Sequence, residues 1–206
     1  MQINAMQVLN PAVIDDIGRG RPIRLNIGCG DTGRTGFYGV DIRAGKGVDI
    51  VADLNAGLTE LPDDCVEEVY SSHTLEHIDN LPGLMQELHR LVRHDGQLEI
   101  IVPHFSNPNG YSDPTHVRFF GLFSMNYFAD PADQVGRNVP NYWPGARFRV
   151  EDASIRFWTA QPRGILERLV NHSWFTRRVY ERFLCWMVPA REVRFLLRTK
   201  KVGAAG

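Results

Sequence analysis

The run Pro22-Ile23-Arg24-Leu25-Asn26-Ile27 stops at Gly28-Cys29-Gly30-Asp31-Thr32-Gly33, and the next apolar run, Phe37-Tyr38-Gly39-Val40-Asp41-Ile42, starts after only Arg34, Thr35 and Gly36. This spacing constrains the fold more than any other feature. The glycines match G-x-G-x-x-G, a pattern that a plain tight turn also satisfies. Its position after a strand raises its meaning, because backbone approaches a ligand closely only where side chains are missing, and ligands of open α/β sheets sit at the carboxyl ends of strands. A dinucleotide cofactor would need a full helix behind the loop, with its N-terminus toward the pyrophosphate. Three residues leave no room for it, which disfavours nicotinamide and flavin chemistry.

Further along, Val48-Asp49-Ile50-Val51-Ala52-Asp53-Leu54 and Val66–Ser71 read as strands. Leu81–Arg93 reads as an amphipathic helix stopped by His94-Asp95-Gly96, and Gln97–Val102 as an apolar strand. Phe148–Phe157 and Glu192–Lys201 read as further strands, with one or two helices over Ile165–Val188. Strands alternating with helical patterns predict an α/β fold with a largely parallel sheet. The 206 residues fit a single domain. Within it, residues 1–20 read as a short helix or lid, 105–147 as an aromatic loop insertion, and 163–201 as a basic helix and strand.

Asp41 and Asp53 end successive apolar runs. Ionised carboxylates are acceptors only, so Asp41 suits vicinal ribose hydroxyls and Asp53 an exocyclic adenine amine. Either alone could equally be a cap or turn aspartate. Together with the glycine loop they favour ligand binding.

Here the sequence resembles the class I S-adenosylmethionine-dependent methyltransferases, in particular small type 11-like proteins associated with bacterial glycan synthesis. The match is carried by Leu25-Asn26-Ile27-Gly28-Cys29-Gly30, Val40-Asp41-Ile42, Ala52-Asp53-Leu54, Ser72-His73-Thr74-Leu75-Glu76-His77-Ile78 and Leu88–Leu98. The resemblance implies a Rossmann-like, seven-stranded, mostly parallel sheet with its last strand antiparallel and helices on both faces. It also implies S-adenosyl-L-methionine as cofactor, held by Asn26, Gly28, Cys29 and Gly30 on the methionine side, Asp41 and Ile42 at the ribose, Asp53 and Leu54 at the adenine, and Ser72 and His73 near the methyl group. The missing first helix leaves the methionine carboxylate to Arg34 or the N-terminal segment.

Methyl transfer from a sulfonium is an in-line displacement that needs alignment and a proton acceptor. Of seven histidines, His104 follows the fifth strand of that sheet and His116 lies in the aromatic loop near Asp113. These three form the candidate acid–base cluster, against the alternative of a loop pinned by Asx-turns. They could also ligate a divalent metal, but their spacing is not diagnostic and no metal is assigned. Ser71-Ser72-His73 lacks an Asn-Pro-Pro-Tyr-type clamp and a cysteine, which makes oxygen the expected acceptor atom. The aromatic loop suits stacking on sugar rings.

Residues 163–201 hold ten Lys and Arg against three Glu, a net of +7, so the near-neutral total of −1 leaves −8 on residues 1–162. Trp174, Phe175, Phe183, Trp186 and Met187 interleave with Arg177, Arg178 and Arg182. That pattern suits either a core-facing helix or a membrane-interface contact over 174–187. The expected acceptor is a hydroxyl of a saccharide or lipid-linked glycan; the alternatives are another small metabolite or an RNA, for which no binding motif accompanies the charge, or a non-catalytic membrane-associated module of the same fold. Three widely spaced cysteines and no cationic apolar leader give a cytoplasmic expectation, with the inner membrane face as a possible station.

Overall fold

The computed structural model describes residues 6–158 and 164–201. Eight strands form one sheet: β1 (Gln7–Val8), β2 (Ile23–Ile27), β3 (Tyr38–Asp41), β4 (Ile50–Val51), β5 (Val66–Ser72), β6 (Val92–Pro103), β7 (Phe148–Arg156) and β8 (Glu192–Thr199). They lie in the order β1-β4-β3-β2-β5-β6-β8-β7. β2 to β6 pair in parallel, whereas β8 runs antiparallel between β6 and β7. The expected antiparallel last strand is therefore present. The eighth strand is β1, a two-residue addition antiparallel to β4 at the sheet's edge.

Alternation along the strands explains the packing. Leu25, Val69, Leu98, Leu197 and Val150 form one cross-strand row, and Ile27, Ser71, Ile100, Phe195 and Ala153 the next; all are buried. The intervening rows point the other way and are mostly polar: Arg24, Glu68, Gln97 and Arg198, then Asn26, Tyr70, Glu99 and Leu196. On this second face Arg24 meets Glu67 at 2.7 Å, Arg194 meets Glu99 at 2.6 Å, and the Arg34 guanidinium lies 3.8 Å above the Tyr70 ring. The cover of the sheet is thus unequal. Residues 28–37 and 42–49 contain no helix, so ion pairs stand on this face where the resemblance implied helices.

Four helices are described: α1 (Ala12–Gly18), α2 (Leu81–Leu91), α3 (Ile165–Val170) and α4 (Trp174–Val179). Asn80 caps α2 by accepting the Gly83 N–H, and Leu81, Leu84, Met85, Leu88 and Leu91 form its buried stripe. α2 ends at Leu91, earlier than its apolar spacing suggests. The chain enters β6 directly at Val92, and Asp95, not Gly96, takes the left-handed conformation (φ 58°). Gly96 is required for a different reason: a Cβ there would stand 2.4 Å from Val92 and 3.0 Å from the Glu67 carbonyl.

Of the helix or lid expected over residues 1–20, the helix is present as α1, and it does not cover the ligand side. Residues 7–8 extend the sheet, Val13 of α1 is fully buried, and the Tyr38 hydroxyl at the start of β3 donates to Asp16 at 2.7 Å. α1 therefore packs by the amino ends of the strands, away from the ligand side. Residues 1–5 lie outside the described residues.

At the opposite edge, Asn171 takes the place of a neighbouring strand for β7: it accepts the Ile155 N–H at 2.9 Å and donates to the Ile155 carbonyl at 2.7 Å. The aromatic insertion is ordered by 3-10 turns and by buried Asn126, whose amide donates to the Val135 and Arg137 carbonyls. Phe120, Leu122, Met125 and Phe128 carry it into the core.

Candidate active site at the carboxyl ends of the parallel strands

The glycine loop turns out of β2 with Gly28 and Gly30 both at positive φ, 65° and 54°. Their reasons differ. A Cβ on Gly28 would stand 2.0 Å from the Thr74 hydroxyl oxygen, whereas one on Gly30 would meet nothing within 4 Å. Gly28 therefore makes room for Thr74, and Gly30 is the glycine open to a ligand. Asn26 pins the loop from below, its amide donating to the Thr32 carbonyl at 3.3 Å. The Cys29 thiol is buried, and burial pushes it up to about 11, so Cys29 contributes backbone and not a nucleophile.

Asp41, the last residue of β3, accepts the Gly30 N–H at 2.8 Å through one oxygen and the Arg43 N–H at 3.3 Å through the other. Those contacts fix the carboxylate and still leave it lone pairs. Ile42 beside it is 46% exposed, an apolar surface for a flat ring. Asp53 follows β4, with one oxygen accepting the Asn55 N–H at 2.9 Å, and Leu54 is buried behind it. Asp41 and Asp53 thus end adjacent strands, as the sequence pattern requires. Arg34 does not face this crevice as the carboxylate substitute: besides covering Tyr70, it lies 3.9 Å from Glu99 on the polar sheet face.

On the other side of β2, β5 ends at Ser72 and the turn after it carries His73, Thr74, Leu75, Glu76 and His77. His73 has a left-handed backbone (φ 54°), strained for a residue with a Cβ. Its N–H donates to the Ile101 carbonyl and its Nε2 meets Glu192 of β8 at 2.8 Å. Glu192 and, more weakly, Glu76 raise its pKa to about 9, so His73 is a cation at neutral pH and not a base. Burial works against ionisation of Glu192, but His73 and Arg191 hold its carboxyl below the usual range.

Glu76 is 1% exposed, and neither carboxylate oxygen has a hydrogen bond. His73 Nδ1 stands 3.5 Å from Oε1, and His116 Nε2 stands 4.0 Å from the same atom. A buried carboxylate without hydrogen bonds costs several kcal/mol in typical proteins, and such a group needs a reason. Asp113, 3.7 Å from His116 Nε2, is held ionised by the hydroxyl and N–H of Thr115.

The expected cluster is therefore only partly assembled. Asp113 and His116 come together, but His104 does not join them. It is buried at the end of β6, with Nδ1 2.8 Å from the Ser106 hydroxyl, Nε2 3.4 Å from Glu181, and its ring against Phe105. It ties β6 to the C-terminal segment, away from Asp113 and His116. Glu76 and His77 are the residues that sequence reasoning passed over. Both stood in the Ser72–Ile78 motif, from which the resemblance singled out only Ser72 and His73.

The aromatic loop closes a cleft of about 290 Å³ lined by Leu81, Pro82, Phe119, Tyr127, Tyr142 and Trp143 among others. Tyr127 and Tyr142 stack with centroids 6.1 Å apart, and Phe128 stacks on Trp143 at 5.1 Å. Arg118 anchors the cleft's floor by donating to the Ile78 and Asp79 carbonyls.

Residues 40–100 match the family of methyltransferase domains. That segment includes Asp41, Asp53 and the Ser72–Ile78 turn. No curated protein sequence matches the chain. Among solved structures, a SAM-dependent methyltransferase from Archaeoglobus fulgidus is 18% identical and aligns over 91% of this chain and 92% of its own, with a TM-score of 0.55. The YcgJ protein from Bacillus subtilis is 12% identical over 92% of this chain and 98% of its own, with a TM-score of 0.53. At these identities the likeness establishes a shared fold, the Rossmann-like fold of class I methyltransferases.

Proposed function

We propose, for a chain with the class I methyltransferase fold and a methyltransferase-domain match over residues 40–100, that it transfers a methyl group from S-adenosyl-L-methionine to a hydroxyl of a saccharide or lipid-linked glycan. Gly30 would lie against the cofactor, Asp41 would accept from its ribose hydroxyls, and Ile42, Asp53 and Leu54 would hold its adenine. When bound, the cofactor would supply an electrophilic sulfonium methyl for an acceptor hydroxyl, with S-adenosylhomocysteine as leaving group. The hydroxyl proton passes to the group around Glu76 and His116.

The observation that carries this reading is Glu76, a buried carboxylate without hydrogen bonds, facing His116 one turn beyond β5. A proton acceptor there is pre-set and shielded from water. The aromatic cleft, which shares Phe119 and Phe120 with the chain leading from His116, supports a ring-bearing acceptor. A lipid-linked form is supported by the C-terminal segment, where Phe175, Trp186 and Met187 are 74%, 67% and 78% exposed beside exposed Arg178 and Arg182.

The test is transfer of a labelled methyl group from S-adenosylmethionine to fractionated glycan, small-metabolite and RNA pools. Label in a saccharide-containing fraction, lost in Glu76→Gln with cofactor binding retained, is the expected result. Label confined to RNA, or transfer unaffected by Glu76→Gln, would overturn the assignment of acceptor or of proton acceptor respectively.

A further inference from the structure

We propose that Glu76, His77 and His116 form a binding site for one divalent transition-metal cation. Each offers one ligand atom within 4.8 Å of the others. Three ligands about 2.1 Å from a common ion stand ~3.0–3.6 Å apart, so inward side-chain adjustments of up to roughly 1 Å close the set.

The hydrogen bonds around the two imidazoles argue for this more strongly than proximity does. His116 Nδ1 lies 2.9 Å from the Gly110 carbonyl, which can only accept, so Nδ1 carries the proton and the Nε2 lone pair is free. The Thr115 hydroxyl donates to Asp113 at 2.6 Å; its oxygen therefore accepts from His77 Nδ1 at 2.9 Å, and His77 Nε2 is free as well. Both rings are thus locked in the tautomer that presents Nε2, one by a backbone carbonyl and one by a hydroxyl relayed to a carboxylate. Metal-ligating histidines are held in this way. The buried Glu76 carboxylate supplies the negative charge. His73 only shares it: Nε2 meets Glu192 at 2.8 Å, while Nδ1 makes a looser ion pair with Glu76 at 3.5 Å and leaves both Glu76 oxygens without a hydrogen bond.

Two imidazoles and one carboxylate on one side of an ion suit zinc, manganese, iron or cobalt and leave coordination positions open. Bound there, the cation would take the Nε2 lone pair of His116 and lower the pKa of a coordinated hydroxyl, replacing rather than adding to proton acceptance by Glu76 and His116. That consequence alone rests on the proposed methyl transfer; binding of the cation does not.

The probe is Co²⁺ added to chelator-treated full-length protein without S-adenosylmethionine, followed by visible absorption and calorimetry. One equivalent should bind with a d–d band. The affinity should fall at least tenfold in His77→Gln, in His116→Gln and in Glu76→Gln, and roughly 10–100-fold in Thr115→Val, which removes the hydroxyl shared by His77 and Asp113 and leaves the Thr115 carbonyl 3.3 Å from His77 Nδ1. His94→Gln, at an exposed histidine, should bind as the parent does. Circular dichroism identifies any variant that fails to fold, and Thr115→Val, at an exposed site, carries the test in that case. Absence of a band, or a band that survives His77→Gln and Thr115→Val, overturns the site. Methyl transfer insensitive to chelator, with Co²⁺ binding intact, would sever the site from the reaction but not remove it.

Discussion

Gly28 and Gly30 share a left-handed backbone, yet only Gly28 is also crowded. An alanine at Gly30 meets open space and adds the left-handed strain of roughly 1–2 kcal/mol. At Gly28 the methyl group would also collide with Thr74, raising the loss to roughly 2–4 kcal/mol. Urea unfolding should therefore rank Gly28→Ala well below Gly30→Ala in stability, while Gly30→Ala should impair cofactor binding more than stability; equal losses would contradict the two roles. At this scale the sequence was informative about residue type and poor about partners. Asp41 and Asp53 were legible because each closes an apolar run. The buried carboxylate of Glu76, met by His73 at 3.5 Å and His116 at 4.0 Å but by no hydrogen bond, was not, since its surroundings come largely from segments distant in the chain. His104 misled for the converse reason: its place after β6 looked like the ligand side, but Ser106 and Glu181 bury it.

Elements whose ends depend on pairing were misjudged at those ends. The apolar spacing of α2 runs past Leu91, but the start of β6 claims Val92, and the strained turn falls on Asp95. β4 keeps two residues of a seven-residue apolar run, because β1 and β3 offer it little backbone to pair with. The end of α2 also carries the clearest pH dependence of folding. His89 is half-buried, its Nε2 donates to the Lys200 carbonyl at 3.1 Å, and its ring meets Phe148 edge-on. Burial, with Lys201 adding to it, lowers its pKa in the fold. The unfolded chain, with a histidine pKa near ~6.5, then takes up the proton more readily than the native one, so stability falls as pH drops below that value. Denaturant midpoints of the parent should decline from pH 7.5 to pH 5, and His89→Gln should reduce that decline. An unchanged slope in the variant would place the acid sensitivity elsewhere.

Over the whole molecule, the charge asymmetry legible in the sequence resolves into two surfaces. One is the polar sheet face, where Arg194 of the basic end pairs with Glu99 of the acidic body, so part of the +7 is neutralised internally. The other is the C-terminal segment, where Arg177 is taken by Asp152 at 2.6 Å but Arg168, Arg178 and Arg182 remain exposed among Leu169, Phe175, Phe183 and Trp186. No helix among the described residues is long and apolar enough to cross a membrane. The proposed contact is therefore interfacial, with exposed arginines near an anionic surface contributing about 1 kcal/mol each. The protein should float with phosphatidylglycerol-containing vesicles and not with neutral ones, and a triple variant of Phe175, Trp186 and Met187 to serine should stay at the bottom of the gradient with its fold intact. Flotation unchanged in that variant would end the membrane reading. The central claim, that the crevice between Gly30, Asp41 and Asp53 holds S-adenosylmethionine, is tested most directly by calorimetric titration with S-adenosylhomocysteine. One equivalent should bind to the parent, at least tenfold more weakly to Asp41→Ala and Asp53→Ala with their unfolding temperatures near the parent's; no heat of binding, or equal affinity in all three proteins, would contradict the account.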